Sequence, residues 1–312
     1  MTNPQNVNKD NETTGIILMY HRIADVACDP WGLCVSPARF ERHLAFLKRS
    51  EYELSSLEDI QKNKDHLRIA ITFDDGYSDN YLKARPLLER YEVPATFFIV
   101  SGSVGSDEEF WWDHLERVII NGEGFLDRLR LEIQGEAMEW ERPGNGKASR
   151  EQAYRKIWEA LSVLSLQEKR SAIKQLESQI RATVPVRKDY LPMNRDQVGR
   201  LAGSGLFTIG SHTISHPFLD RLSKEEQQRE IGKSKTDLEE MTGRPVDIFS
   251  CPHGRYNDET ADILKNNGYC LACVSGDRNV SAGSSPFALM RRVVENWGEH
   301  ELEAKIQGWI EK

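Results

Sequence analysis

Long apolar runs are missing from this 312-residue chain. None approaches the ~18–20 residues that a membrane-spanning helix needs, so no transmembrane segment is expected. An excess of positive charge is missing too. Lys and Arg number 41 against 49 Asp and Glu, a formal net charge of −8 with no basic run. Nucleic acid and anionic membrane surfaces are therefore poor candidates as partners. Met1 to Gly15 lacks the basic-then-apolar order of a signal peptide. It reads as a flexible polar leader, and the expected location is the cytoplasm. Cysteine is sparse: Cys28, Cys34, Cys251, Cys270 and Cys273 are an odd number, which argues against a disulfide framework. The single C-x-x-C, Cys270 to Cys273, reads as small apolar residues of a buried strand rather than as redox or zinc chemistry.

What is present is a globular composition. Apolar residues make up 39 % of the chain and there are 22 glycines, enough for a sizeable core. The length suits two units or one large α/β barrel. Gly15–Tyr20 is a short apolar run with the signature of a buried strand. Ala38 to Lys48 predicts an amphipathic helix with Phe40, Leu44 and Leu47 on one stripe. A strand predicted at Arg68–Phe73 leads into Asp74-Asp75-Gly76, then a helix at about 78–91 and a strand at 95–100. Strand, helix, strand with short connections implies parallel pairing.

From about 105 to 195 the pattern turns charged and helix-rich. Helices are predicted near 110–120, 151–164 and 167–180, with a loop at Pro143-Gly144-Asn145-Gly146. Alternation resumes with a strand at 207–209, a helix at 224–241, a strand at 247–251, a helix at 258–267 and a strand at 270–274. A last helix is predicted at about 299–310. The run Lys224–Glu230 reads as a solvated helix face. The simplest architecture is one α/β barrel-like domain over 16–312 with a helical insertion at about 105–195.

Three clusters sit at or just past the C-terminal ends of predicted strands, where parallel barrels collect their catalytic groups. The first is Thr72-Phe73-Asp74-Asp75-Gly76-Tyr77. Successive strand residues point to opposite sides, so one aspartate can bind a cation while the other handles a proton. Capping of the following helix is the plainer alternative. The second is Gly210-Ser211-His212-Thr213-Ile214-Ser215-His216-Pro217. Two imidazoles four apart share one face of a helical turn and can grip one metal ion; two unrelated surface histidines are the alternative. The third is Phe249-Ser250-Cys251-Pro252-His253-Gly254, whose turn residues supply backbone N–H groups suited to an oxyanion hole.

Together the clusters resemble the polysaccharide deacetylase (NodB-homology) family. TFDDGY and SHTISHP match its first two motifs in order, and CPHG resembles a variant of the third. Tyr20–Ile23 and Val35–Leu47 resemble the N-terminal part of one branch. The resemblance covers most of 16–297 apart from much of the insertion. It implies a distorted (β/α) barrel that uses a divalent metal to activate water against the N-acetyl group of an amino sugar. Carried over by motif, Asp75, His212 and His216 are the metal ligands, Asp74 is the general base, and the backbone of His253 stabilises the oxyanion. The implied metal is zinc, with cobalt, nickel or manganese as alternatives. The implied partner is an N-acetylated saccharide.

One departure stands out. Many members of the family carry a late Leu-x-His whose histidine protonates the leaving amine. Here the region reads Leu289-Met290-Arg291-Arg292-Val293-Val294, and the only later histidine, His300, reads as a surface residue. His253 and His21 are the substitute candidates, His21 because it ends the first predicted strand; a structural role for His21 is the alternative. Arg291 is expected to orient an aspartate or meet an anionic part of the substrate, and Arg292 to bridge to surface acids. Trp111 and Trp112 either stack on sugar faces or staple the insertion. Two competing functions stay open: a deacylase of a small non-sugar amide, and a catalytically weak carbohydrate-binding relative.

Overall fold

The structure is a computed structural model that describes residues 13–62, 66–123, 128–133, 135–141, 144, 146–180 and 185–311. Residues 1–12 of the expected leader, and Pro143 and Asn145 of the expected loop, lie outside the described residues. The chain forms two compact units, Met1–Val104 with Met193–Lys312, and Gly105–Pro192.

The first unit is a closed parallel barrel. Its seven strands are β1 (Thr13–Tyr20), β2 (Arg68–Phe73), β3 (Ala95–Ile99), β4 (Phe207–Ser211), β5 (Ile248–Ser250), β6 (Leu271–Ser275) and β7 (Leu289–Val293). Neighbours pair in the order β1-β7-β6-β5-β4-β3-β2, and β2 returns to β1. The strand β1 starts at Thr13, inside the expected leader, because Thr13 and Gly15 pair with a short antiparallel strand, Val280–Ser281. Two seams are thin. A single residue pair, Phe249 with Ser211, joins β5 to β4, and two pairs join β1 to β7, which is the distortion of the barrel. The expected α/β barrel is thus what the chain adopts.

Strand alternation sorts the side chains. Ile69, Ile71 and Phe73 of β2 belong to the outer core with Ile16, Leu18, Tyr20, Phe97 and the helix Pro37–Arg49. Ala70 faces the barrel interior with Ile17, Phe98, Ile248, Leu271, Cys273 and Leu289. Continuing the inward register of β2 gives Thr72 and then Asp74. Continuing that of β7 from Leu289 gives Arg291. The barrel axis thereby ends in polar groups at the C-terminal side. Sequence periodicity had not marked β7 as a strand, since Met-Arg-Arg looks like surface until its arginine has a partner across the barrel.

The second unit holds helices Trp111–Asn121, Lys147–Ser162 and Leu166–Glu177, and also an antiparallel hairpin of Arg128–Ile133 with Glu136–Glu141. The hairpin departs from the expectation of helices alone. Its first strand, RLRLEI, buries Leu129 and Leu131 between exposed charges, a period of two hidden inside a charged segment. The outer edge of that strand is closed by glutamine amides. Gln179 pairs with the backbone N–H and carbonyl of Arg130, and Gln175 does the same at Glu132.

Candidate active site

Each cluster is a tight, strained exit from a barrel strand. After β2, Asp75 has φ 70° and Gly76 φ 86°. The N–H of Gly76 turns back to the carbonyl of Asp74 at 2.9 Å, and the carbonyl of Asp75 accepts from Val100. After β4, Thr213 (φ 67°) and His216 (φ 59°) are left-handed, and after β5 so is His253 (φ 57°). A left-handed non-glycine residue costs ~1–2 kcal/mol, so the surrounding contacts must over-determine these turns. Four of the five such residues among those described lie in these clusters.

The second cluster corrects one expectation. His212 to His216 is an irregular loop, not a helical turn, because Thr213 and His216 leave the helical region. The loop nonetheless brings the two imidazoles together, with ring centroids 4.9 Å apart. Nε2 of His212 lies 3.7 Å, and Nε2 of His216 3.5 Å, from Oδ1 of Asp75. Ligand atoms of all three residues fall within 4.8 Å of one another, and all three side chains are buried. Bonds of about 2.0–2.2 Å in a tetrahedral site separate ligand atoms by roughly 3.4 Å, so this donor set fits one divalent cation. Nδ1 of His212 donates to the carbonyl of Ser250 at 2.8 Å, which leaves Nε2 as the lone-pair nitrogen facing Asp75.

Asp74 stands next to this trio without joining it; its Oδ2 is 3.8 Å from Nε2 of His212. Both of its oxygens are clamped by Arg291, Nη1 to Oδ1 and Nη2 to Oδ2, each at 2.6 Å. Arg291 also donates to Thr72 and to the Ser250 hydroxyl. Burial opposes ionisation of Asp74, but the Arg291 guanidinium holds its carboxyl well below the usual carboxylate range. Of the two roles open to Arg291, orienting an aspartate is the one its geometry serves. At 1 % exposure it has no surface to offer a substrate.

His21 follows β1. Its carbonyl accepts from Asn80, and its buried Nδ1 makes no hydrogen bond among the described residues. Burial holds its imidazole down at about 4, with the nearby Asp74 carboxylate opposing. The ring of His253 lies 4.4 Å from that of His216 and stacks on Phe218 at 4.1 Å. His300 is exposed beside Glu303. Arg292 does not form the expected salt bridge among the described residues, although the Asp277 carboxylate acts on its charge; it hydrogen-bonds Asn279 and lies over the Trp309 ring, because its outward position on β7 faces the last helix. Trp111 is 5 % exposed and packs on Trp158 with the Lys169 ammonium over its ring, so it belongs to the core of the second unit and presents no face to a sugar. Trp112 stacks on Phe110 within the same unit. Cys270 is exposed and Cys273 buried, both free thiols.

Sequence reasoning had not singled out Ser250. Its carbonyl orients His212 and its hydroxyl bridges Arg291 and Asp74. The only signal was its place one residue before the third turn.

Three potential ligands and a clamped carboxylate thus converge at the C-terminal ends of the barrel strands, where parallel barrels collect their catalytic groups. The profile of the polysaccharide deacetylase family matches residues 61–125 and 173–272, just over half of the chain. The chain belongs to that family, and so is a hydrolase of the amide bond of N-acetyl groups. It is 24 % identical over 281 residues to YxkH of Bacillus subtilis, a protein assigned to the polysaccharide deacetylases, covering 88 % of this chain and 69 % of that one. It is 28 % identical over 116 residues to a poly-β-1,6-N-acetyl-D-glucosamine N-deacetylase of Staphylococcus aureus, spanning 32 % of this chain and 40 % of that enzyme. In fold it is similar to the Streptococcus pyogenes deacetylase PplD in complex with acetate. The TM-score there is 0.61 at 19 % identity, covering 93 % of this chain and 96 % of that one. IcaB from Ammonifex degensii is similar at a TM-score of 0.60 and 16 % identity, with 97 % and 99 % covered.

Proposed function

We propose that the chain removes the N-acetyl group from an amino sugar in a glycan or glycan precursor. Asp75, His212 and His216 would hold a divalent cation, zinc first and cobalt, nickel or manganese as alternatives. When bound, such an ion supplies Lewis-acid activation of water and of the acetamide carbonyl. The remaining work falls to the chain. Asp74 takes a proton from the attacking water, and Arg291 keeps it ionised and aimed. The backbone N–H of His253 donates to the oxyanion. As the C–N bond breaks, the leaving nitrogen needs a proton, and His21 or His253 delivers it. Water and the acetamide thus become acetate and a free amine.

The observation that carries this reading is the convergence of Asp75, His212 and His216 beside a carboxylate clamped at both oxygens. The name of the Staphylococcus aureus relative supports a saccharide over a small non-sugar amide. The test is acetate release by the zinc-loaded protein from β-1,6-linked and β-1,4-linked N-acetylglucosamine oligomers and from a small N-acetylated amine. Release from an oligomer that stops with chelator and returns with metal is expected. Release from the small amide alone would favour the deacylase alternative, and metal binding with no release would favour a binding protein.

A further inference from the structure

The helix Lys224–Thr242 was expected to turn its first residues to solvent, yet Gln227, Glu230, Ile231, Ser234 and Leu238 form a buried stripe along it. Polar residues interrupt that stripe, which is why its helical period is faint in the sequence. Glu230 is 6 % exposed and has no arginine or lysine within salt-bridge distance among the described residues. Its carboxylate faces the loop between the two site histidines. Oε2 accepts the consecutive backbone N–H groups of Ile214 at 2.9 Å and Ser215 at 3.0 Å, and Oε1 accepts the Ser215 hydroxyl at 2.8 Å. One turn further on, Ser234 donates its hydroxyl to the carbonyl of Thr213 at 3.0 Å. The helix therefore grips the loop by a carbonyl and by the next two amides.

Backbone donors hold the loop as well. The N–H of Ser101 donates to the Thr213 carbonyl and that of Gly102 to the Ile214 carbonyl. Gly102 is needed for this approach, since a Cβ there would sit 2.6 Å from the Ile214 oxygen. Inside the loop, the N–H of His216 donates to the Thr213 hydroxyl, which itself donates to the His212 carbonyl. Left-handed residues at both Thr213 and His216 leave the loop strained, so it needs anchors from outside as well. Two adjacent amides aimed at one buried carboxylate are the charged part of the contacts that outweigh that strain.

We propose that Glu230 is a positioning residue for the cation site: it sets the spacing of His212 and His216 by anchoring the amides between them. This rests on the reading of Asp75, His212 and His216 as cation ligands. Glu230 does not touch the ligands, so its effect is on preorganisation, where loss of an outer partner weakens metal binding by ~10–100-fold.

The test is zinc affinity of the metal-free protein, by competition with a chromophoric chelator, with the Tm of the metal-free protein read in parallel. Glu230→Gln keeps size and one acceptor oxygen but removes the charge; it should weaken zinc ~10-fold, and Glu230→Ala more, toward ~100-fold. Leu238→Val, a buried change two turns along the same helix, should lower Tm at least as far as Glu230→Gln with zinc affinity unchanged. Wild-type affinity in Glu230→Gln, or an equal loss of affinity in Leu238→Val, would overturn the proposal. Wild-type protein that binds none of zinc, cobalt, nickel or manganese would instead overturn the cation site itself, and this inference with it.

Discussion

Each unit buries charge, and the two do so to different ends. In the second unit, Glu109 accepts from Nε of Arg117 and from Nε of Arg187, both at 2.8 Å, and Arg187 continues to Glu116 at 2.7 Å. Those carboxylates are closed by arginines on several sides, and the network ties Arg187 to the helix Trp111–Asn121. In the barrel, Asp74 is closed on one side by Arg291 and stands beside three potential ligands on the other. A buried ion pair stabilises little by itself because desolvation offsets the attraction, whereas breaking one leaves a stranded charge. What separates the two networks is therefore what lies next to them. One ties together elements of its own unit; the other stands beside a set of donor atoms.

The sharpest way to break this comparison is Asp74→Asn. Deacetylation should fall by ~10²-fold or more while bound metal stays at wild-type level, measured by acetate release and metal analysis on the same sample. Loss of metal together with activity would mean that Asp74 and Asp75 have exchanged roles. Next in size is Glu109→Gln, which takes one carboxylate from Arg117 and Arg187 but leaves each a second partner, Glu177 and Glu116, so the cost should be ~3 kcal/mol, the low end for breaking a buried pair. Hydrogen exchange should show the loss of protection in the helices of 105–192, with zinc affinity unchanged. Equal loss across the barrel strands would erase the contrast.

A third effect concerns acid stability. Nε2 of His43 lies 3.0 Å from the carbonyl of Trp297 and Nδ1 lies 3.1 Å from the hydroxyl of Tyr20. With Nε2–H donating and Nδ1 accepting, both bonds suit the neutral ring. Burial lowers this imidazole to about 4 from 6.5. Between those values the unfolded chain binds the extra proton, so stability is complete above ~6.5 and is lost as pH falls toward ~4, by about 3 kcal/mol. Urea unfolding from pH 7 to 4.5 should show a steeper loss in wild type than in His43→Gln. Parallel curves would remove His43 from the account. The smallest effects are the helix caps, where the units should agree. Ser223 and Ser165 each close a capping box with the glutamate three residues on. Either Ser→Ala change should lower stability by ~1 kcal/mol in thermal melts. A much larger loss at one of them would mean that its helix end carries tertiary strain.

Much of the barrel was legible because its strands are short apolar runs closed by turn residues: Arg68–Phe73 before Asp-Asp-Gly, and Ile248–Ser250 before Cys-Pro-His-Gly. The strand β7 was not, since its inward Arg291 makes sense only opposite Asp74, more than two hundred residues away in the chain. The hairpin at 128–141 was hidden for a related reason. Alternating arginine and leucine carries a strand period, but it is short and lies within a strongly charged segment. Glu230 looked like surface because nothing in a local window reveals that the amides of Ile214 and Ser215 wait above it.

The sequence by itself determined the chemistry on offer: an aspartate pair, a spaced histidine pair and a turn-forming third cluster, each at the end of a strand. Those signals are local, and local rules of alternation and turn formation suffice to read them. Which aspartate turns inward to Arg291 and which toward the histidines was decided only when seven strands closed and β2 came to face β7. The same holds for the shape of the His212–His216 loop. Its left-handed residues are unfavourable in isolation, and contacts from a helix and from the turn after β3 are what hold them.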